Sequence, residues 1–179
     1  MRALKIIVGL LVVSVLIVLG VGLFLPKEYR VERSIEINAA PEAVFDQVNS
    51  LRSWNAWSPW IARDPSIDNN YSGPEAGVGS KVTWTSENSG AGSQTITLSE
   101  RPTRIETLLD FDDMGQPKAD WTFAPSREGT LVTWGLSGTA GGPVGGYFAR
   151  MMDEWVGGDY EDGLARLKKV VETDADLAR

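Results

Sequence analysis

The chain opens on an unbroken apolar run. From residue 6 to residue 25 no side chain carries a charge, and only Ser14, Gly9, Gly20 and Gly22 interrupt the aliphatic positions. At about 1.5 Å of rise per residue, a helix of this length covers a hydrocarbon core of roughly 30 Å. Arg2 and Lys5 flank one end; Pro26, Lys27, Glu28, Tyr29 and Arg30 close the other. A cleaved signal peptide would carry a shorter apolar region and a cleavage site of small residues. Leu23-Phe24-Leu25-Pro26 offers no such site. No face of the run is polar, which argues against a buried core helix. The expected division is residues 1–5 as a flank, 6–25 as a transmembrane helix, 26–172 as one globular domain and 173–179 as a tail. The expected location is the cell membrane, crossed once. Basic residues are few on both sides (Arg2 and Lys5 against Lys27, Arg30 and Arg33), so the positive-inside rule gives little direction. The domain is expected outside the cytoplasm.

Behind this run the pattern changes to alternation. Residues 29–37 read as a first strand. Ala39-Ala40-Pro41-Glu42 then opens a helix, with proline in the first turn and Glu42 at the positive end of the dipole. Val44, Phe45 and Val48 form its buried face. Trp54, Trp57 and Trp60 follow on a short second helix or turn. Residues 81–87, 92–100, 104–111, 119–125 and 130–138 read as strands joined by short turns, which predicts an antiparallel meander. From about residue 143 to 171, Phe148, Met152, Trp155, Tyr160, Leu164, Leu167 and Val171 recur at helical steps. They predict one long amphipathic helix, interrupted at Gly157-Gly158.

The alternation sorts the strands into two faces. One face takes Val82, Trp84, Ile96, Leu98, Ile105, Leu109, Phe111, Trp121, Phe123, Val132, Trp134 and Leu136. The other takes Thr83, Thr85, Thr95, Thr97, Glu106, Asp110, Asp120, Thr122 and Thr133. Leu108 and Leu131 fit neither set. The apolar face is large and aromatic, and the long helix can cover it, which predicts an α+β domain with a curved sheet around that helix. Most of these aromatics are expected to be core. One helix cannot fill a strongly curved sheet, however, so a cavity for an apolar ligand is expected as well.

Composition narrows the chemistry. There is no histidine and no cysteine. That excludes disulfides, thiolate nucleophiles, histidine-based triads and the usual transition-metal sites. The net charge of −7 repels phosphate backbones, so nucleic acid is not an expected partner. Asp64, Asp68, Asp110, Asp112 and Asp113 lack the glycine and terminal glutamate of a calcium loop. Asp112-Asp113-Met114-Gly115 reads as a solvated turn. Gly73, Gly77 and Gly79 lack nucleotide-loop spacing and read as a flexible loop over the pocket, and so as a gate. No catalytic residue, metal site or cofactor is assigned.

Several stretches resemble a known superfamily. Val31-Glu32-Arg33-Ser34-Ile35-Glu36-Ile37-Asn38-Ala39-Ala40-Pro41-Glu42-Ala43-Val44-Phe45 resembles the opening strand and helix of START-like proteins. This SRPBCC superfamily includes the polyketide cyclase/dehydrase and lipid-transport proteins. Leu51-Arg52-Ser53-Trp54-Asn55-Ala56-Trp57-Ser58-Pro59-Trp60, Tyr71-Ser72-Gly73-Pro74-Glu75-Ala76-Gly77-Val78-Gly79 and Gly163-Leu164-Ala165-Arg166-Leu167-Lys168 resemble its membrane-anchored bacterial subgroup. The resemblance covers about residues 29–171. It implies a helix-grip fold, with about seven antiparallel strands curved around the C-terminal helix, and a pocket more firmly than a reaction.

The expected pocket residues come from the helices and the sheet. Trp57, Trp60, Met151 and Trp155 represent the helices, and Trp84, Ile96, Leu98, Leu109, Phe111, Trp121, Phe123 and Trp134 the sheet. The expected function is a membrane-anchored binding protein for an apolar small molecule or lipid. The competing readings are a polyketide cyclase or dehydratase and an interaction domain of a membrane complex. An enzyme would need a buried carboxylate of raised pKa, and the inward face offers none.

Overall fold

The structure is a computed structural model that describes residues 2–112 and 115–177. The apolar run is helix α1, Arg2–Phe24. Its stretch Leu4–Phe24 has a mean hydropathy of 3.1 and is 6% buried, long and apolar enough to cross a membrane. Pro26 cannot continue the helix, and strand β1, Glu28–Ile37, begins two residues later. Helix α2, Pro41–Asn49, buries Val44, Phe45 and Val48 as its spacing predicts. A 3-10 turn, Ser53–Ala56, carries Trp54, helix α3, Pro59–Arg63, carries Trp60, and Trp57 lies between them.

Six strands follow: β2 Asp68–Ser72, β3 Lys81–Ser86, β4 Gly90–Glu100, β5 Arg104–Asp110, β6 Lys118–Pro125 and β7 Thr130–Thr139. They form one antiparallel sheet of seven strands in the order β1-β7-β6-β5-β4-β3-β2. The meander is the one expected, with β1 closing onto β7. Strand β2 is absent from the sequence reading. Asp68, Asn69 and Asn70 are poor strand formers without apolar alternation, and an edge position tolerates them.

Helix α4, Gly145–Leu177, lies along β1. Arg33 reaches over it and bonds Asp153 (2.8 Å) and Glu161 (2.7 Å). The guanidinium lies against Gly157, where any Cβ would collide with it. Gly157 is thus a packing site and does not interrupt the helix. Further along, Glu172 accepts from the Asn38 N–H (2.8 Å) and Lys168 donates to the Glu36 carbonyl (2.8 Å). The segment expected as a tail is helical through Leu177. The hydrogen bond from Thr173 Oγ1 to the Lys169 carbonyl (2.7 Å) lies in this last part.

The start of α4 also packs on the end of α1. Gly22 backs onto the Pro143 carbonyl so closely that a Cβ would not fit. The Tyr147 hydroxyl donates to the Val18 carbonyl (3.0 Å). In the expected turn at 112–115, Asp112 is exposed with φ 53, while Asp113 and Met114 lie outside the described residues.

Candidate functional site

Register determines which side chains share the concave face. Val31 opposes Leu136, Trp134 opposes Trp121, Trp121 opposes Ile105, and Ala119 opposes Thr107. Thr107 opposes Ile96, Leu109 opposes Gln94, and Val82 opposes Gln94 across the next pair. Paired residues point the same way, so these form one continuous surface, of which α4 covers the β1 and β7 side. The opposite face carries Arg30 paired with Asp120 (2.5 Å), and the hydrogen-bonded Ser34 and Thr133. Leu108 and Leu131 belong to this outer face, which explains why the inward pattern did not fit them.

The end of the concave face nearest α2 and α3 is filled by aromatic rings. Trp121 and Trp134 stack at 4.3 Å, and Tyr160 of α4 stacks on Trp134 at 3.7 Å. Trp54 and Trp57 close on this stack edge-on, at 5.7–6.1 Å. Trp60 adds a T-shaped contact with Trp134 at 5.7 Å. Burial drives the Tyr160 hydroxyl well above the ordinary phenol range. The indole N–H groups of Trp57, Trp121 and Trp134 are buried without an acceptor. Perpendicular rings at these distances suit weak contacts to π faces.

The other end is open. Trp84, Leu109 and Phe111 are only half-buried, with Trp84 and Phe111 edge-to-face at 5.8 Å. Beneath them the buried Gln94 amide donates to the buried Thr107 hydroxyl (3.0 Å). No carboxylate joins these residues on the concave face in the strand registers of the described residues. Leu109 donates its N–H to the Pro117 carbonyl (3.0 Å). Pro117, Tyr29 and Gly138 in turn line a cleft of about 430 Å³ at the strand ends nearest α1.

The twelve expected pocket residues therefore separate. Trp57, Trp121, Trp134, Ile96 and Phe123 are buried, and Trp60 packs on their cluster. Trp84, Leu109 and Phe111 border the open end. Leu98 requires a correction. A β-bulge after Ile96 sets Leu98 opposite Glu106, on the outer face, because the extra residue reverses the alternation. Met151 and Trp155 require another. They are 41% and 48% exposed, on the side of α4 turned away from the Tyr160–Leu164–Leu167 stripe. The recurrence from Phe148 to Val171 takes Phe148 and Trp155 into the helix's apolar stripe, yet α4 turns both outward, side by side.

Gln94 and Thr107 are additions that pattern reading misses, since a polar residue at an inward position looks like a break in the alternation. The expected gate at Gly73–Gly79 is tied down: Gly77 N–H donates to Asn49 (3.0 Å) and Gly79 N–H to Ile96 (2.9 Å). Asp64 is a structural carboxylate. It accepts from Ser66 (2.6 Å), Ser86 (2.5 Å) and Ser89 (2.6 Å), and these bonds hold its pKa well below the ordinary carboxylate range.

The profile of a family described as polyketide cyclase/dehydrase and lipid transport matches residues 28–172, the whole of the sheet and most of α4. The chain belongs to this family. Solved structures agree on the fold. A Chromobacterium violaceum protein is 21% identical, with a TM-score of 0.59 over 82% of this chain and 99% of its own. A Staphylococcus aureus protein of unknown function is 12% identical, with a TM-score of 0.65 over 83% and 96%. The di-domain aromatase/cyclase StfQ of the steffimycin biosynthetic pathway is 12% identical, with a TM-score of 0.64 over 83% of this chain and 52% of its own. No curated protein matches the chain in sequence. The likeness to these solved structures is one of helix-grip architecture, within which this chain places its own filled and open ends.

Proposed function

We propose that the chain is a membrane-anchored binding protein that holds an apolar small molecule or lipid against the open end of its concave face. The observation that carries this reading is the contrast between the two ends. One end is packed ring on ring, while Trp84, Leu109 and Phe111 remain half-buried on the same surface. Apolar side chains left uncovered on a concave wall favour an apolar occupant. The family description, which names lipid transport, and the fold shared with an aromatase/cyclase support the same ligand class. Helix α1 supplies the anchor, and the short connection to β1 keeps the domain at the bilayer. The cleft beside Tyr29, Pro117 and Gly138 lies at the anchor side, and the Pro117 carbonyl on its lining accepts from the Leu109 N–H.

A fluorescent fatty-acid analogue titrated into the full-length protein in detergent tests this. Saturable binding is expected, weakened at least about tenfold (1.4 kcal/mol) by Trp84→Asp or Leu109→Asp. Thr122→Asp, on the exposed outer face, is the matched control and should bind as the parent does. Absence of saturable binding, or equal affinity in all variants, would overturn the assignment.

A further inference from the structure

We infer that the first three turns of α4 dock into the interfacial layer of a lipid bilayer, through Phe148, Met151 and Trp155. This rests on the reading of α1 as a membrane anchor. The two helices run side by side at one level: Pro143 packs on Gly22, Gly146 packs on Leu25, and Tyr147 bonds the Val18 carbonyl. Val18 lies six residues before the end of α1 at Phe24, about 9 Å along the axis. With the apolar span of α1 in hydrocarbon, the start of α4 is therefore level with its last turns, at the boundary between tails and headgroups.

The side chains there suit that boundary. Phe148, Met151 and Trp155 fall within about 60° of one another around the helix, at 100° per residue. They are 47%, 41% and 48% exposed, and the Phe148 and Trp155 rings lie 5.8 Å apart. Among the described residues, the other exposed large hydrophobic side chains outside α1 are Val78, Leu131 and Leu177. The stripe is thus a cluster, on the turns of α4 that follow its contact with α1, whose own end exposes Leu23 and Phe24. The exposed Glu154 and Arg150 flank the stripe on one side of the helix, so that a polar edge borders it as in an in-plane amphipathic helix. A net charge of −7 gives no attraction to anionic lipid, so burial of apolar surface and the interfacial preference of the indole drive the contact. Two contacts, α1 and this stripe, fix the roll of the domain on the membrane.

The absence of cysteine makes the test direct, because each introduced cysteine is the single labelling site. Phe148→Cys, Met151→Cys and Trp155→Cys would be spin-labelled in the full-length chain and reconstituted in phosphatidylcholine vesicles. Val13→Cys serves as the hydrocarbon reference and Glu128→Cys as the aqueous one. Collisions with oxygen and with a water-soluble nickel chelate are then measured by electron paramagnetic resonance. Labels at 148, 151 and 155 are expected to lose nickel collisions and keep oxygen collisions, at depths between the two references. Nickel exposure equal to Glu128→Cys, with Val13→Cys immersed, would overturn the docking alone. An aqueous Val13→Cys label would overturn docking and anchor together. Labels shielded from both reagents, with dipolar broadening, would mark a second copy of the chain as the occupant and overturn the bilayer. Failure of fatty-acid binding leaves all these outcomes unchanged, so the two proposals fail separately.

Discussion

Replacing Trp134 with alanine is expected to destabilise the domain by about 3–5 kcal/mol, a large part of the 5–15 kcal/mol typical of a folded domain. Trp134 stands at the centre of the aromatic cluster, with Trp121 stacked on one side and Tyr160 on the other. Trp54, Trp57 and Trp60 meet it edge-on. Gly163 leaves room for the indole, since a Cβ there would come within 2.9 Å of the ring. The Trp134 N–H has no acceptor, so the substitution orphans no partner and the loss is one of packing. Denaturant unfolding of the full-length chain in detergent, followed by near-ultraviolet circular dichroism, measures it. Trp134→Phe should retain a substantial share of the lost stability, because a ring still separates Trp121 from Tyr160. A Trp134→Ala cost below about 1 kcal/mol would show that the cluster collapses around the gap or contributes little.

The second large effect concerns α1. Val13→Arg combined with Leu16→Arg is expected to release the protein from membranes into the aqueous fraction. Each aliphatic residue favours insertion by about 0.3–0.6 kcal/mol, and an arginine near the middle of the span opposes it by about 2.5–3.5 kcal/mol. Each arginine thus offsets roughly four to twelve aliphatic residues, and two offset a large share of the segment. Alkaline extraction of membranes, with an intact mass to establish that residues 1–25 are retained, reads the outcome. A parent chain lacking those residues would identify the run as a removed leader. Retention of the double variant in the alkali-resistant pellet would place the anchor elsewhere.

Much of this fold is legible in the chain. The apolar run, the proline-started helix, the alternating strands and the long amphipathic helix all carry strong periodic signals. What escapes has local physical causes. Asp68, Asn69 and Asn70 form an edge strand because pairing with β3 holds it, without an apolar face of its own. Leu98 changes sides at a bulge, and one extra residue leaves no mark in an alternating pattern. Phe148 and Trp155 recur at steps of three, four or five with the stripe's members, yet at 100° per residue they fall on the opposite side of α4 from Tyr160, Leu164 and Leu167, which exposes them. Gly157 looks like a helix break until Arg33 is placed over it. Strand alternation predicts the concave face as one surface. Its division into a filled and an open end depends on where Trp54, Trp57 and Tyr160 insert, and tertiary packing sets that.

The central claim is that the open end of the concave face holds an apolar molecule, and the most direct measurement is of the protein as it leaves the membrane. Full-length chain extracted in mild detergent and analysed intact by native mass spectrometry should carry added mass from one class of apolar compound, released on denaturation. The same preparation of Trp84→Asp should carry none. Bare chain mass in the parent, or an identical adduct in Trp84→Asp, would contradict the account.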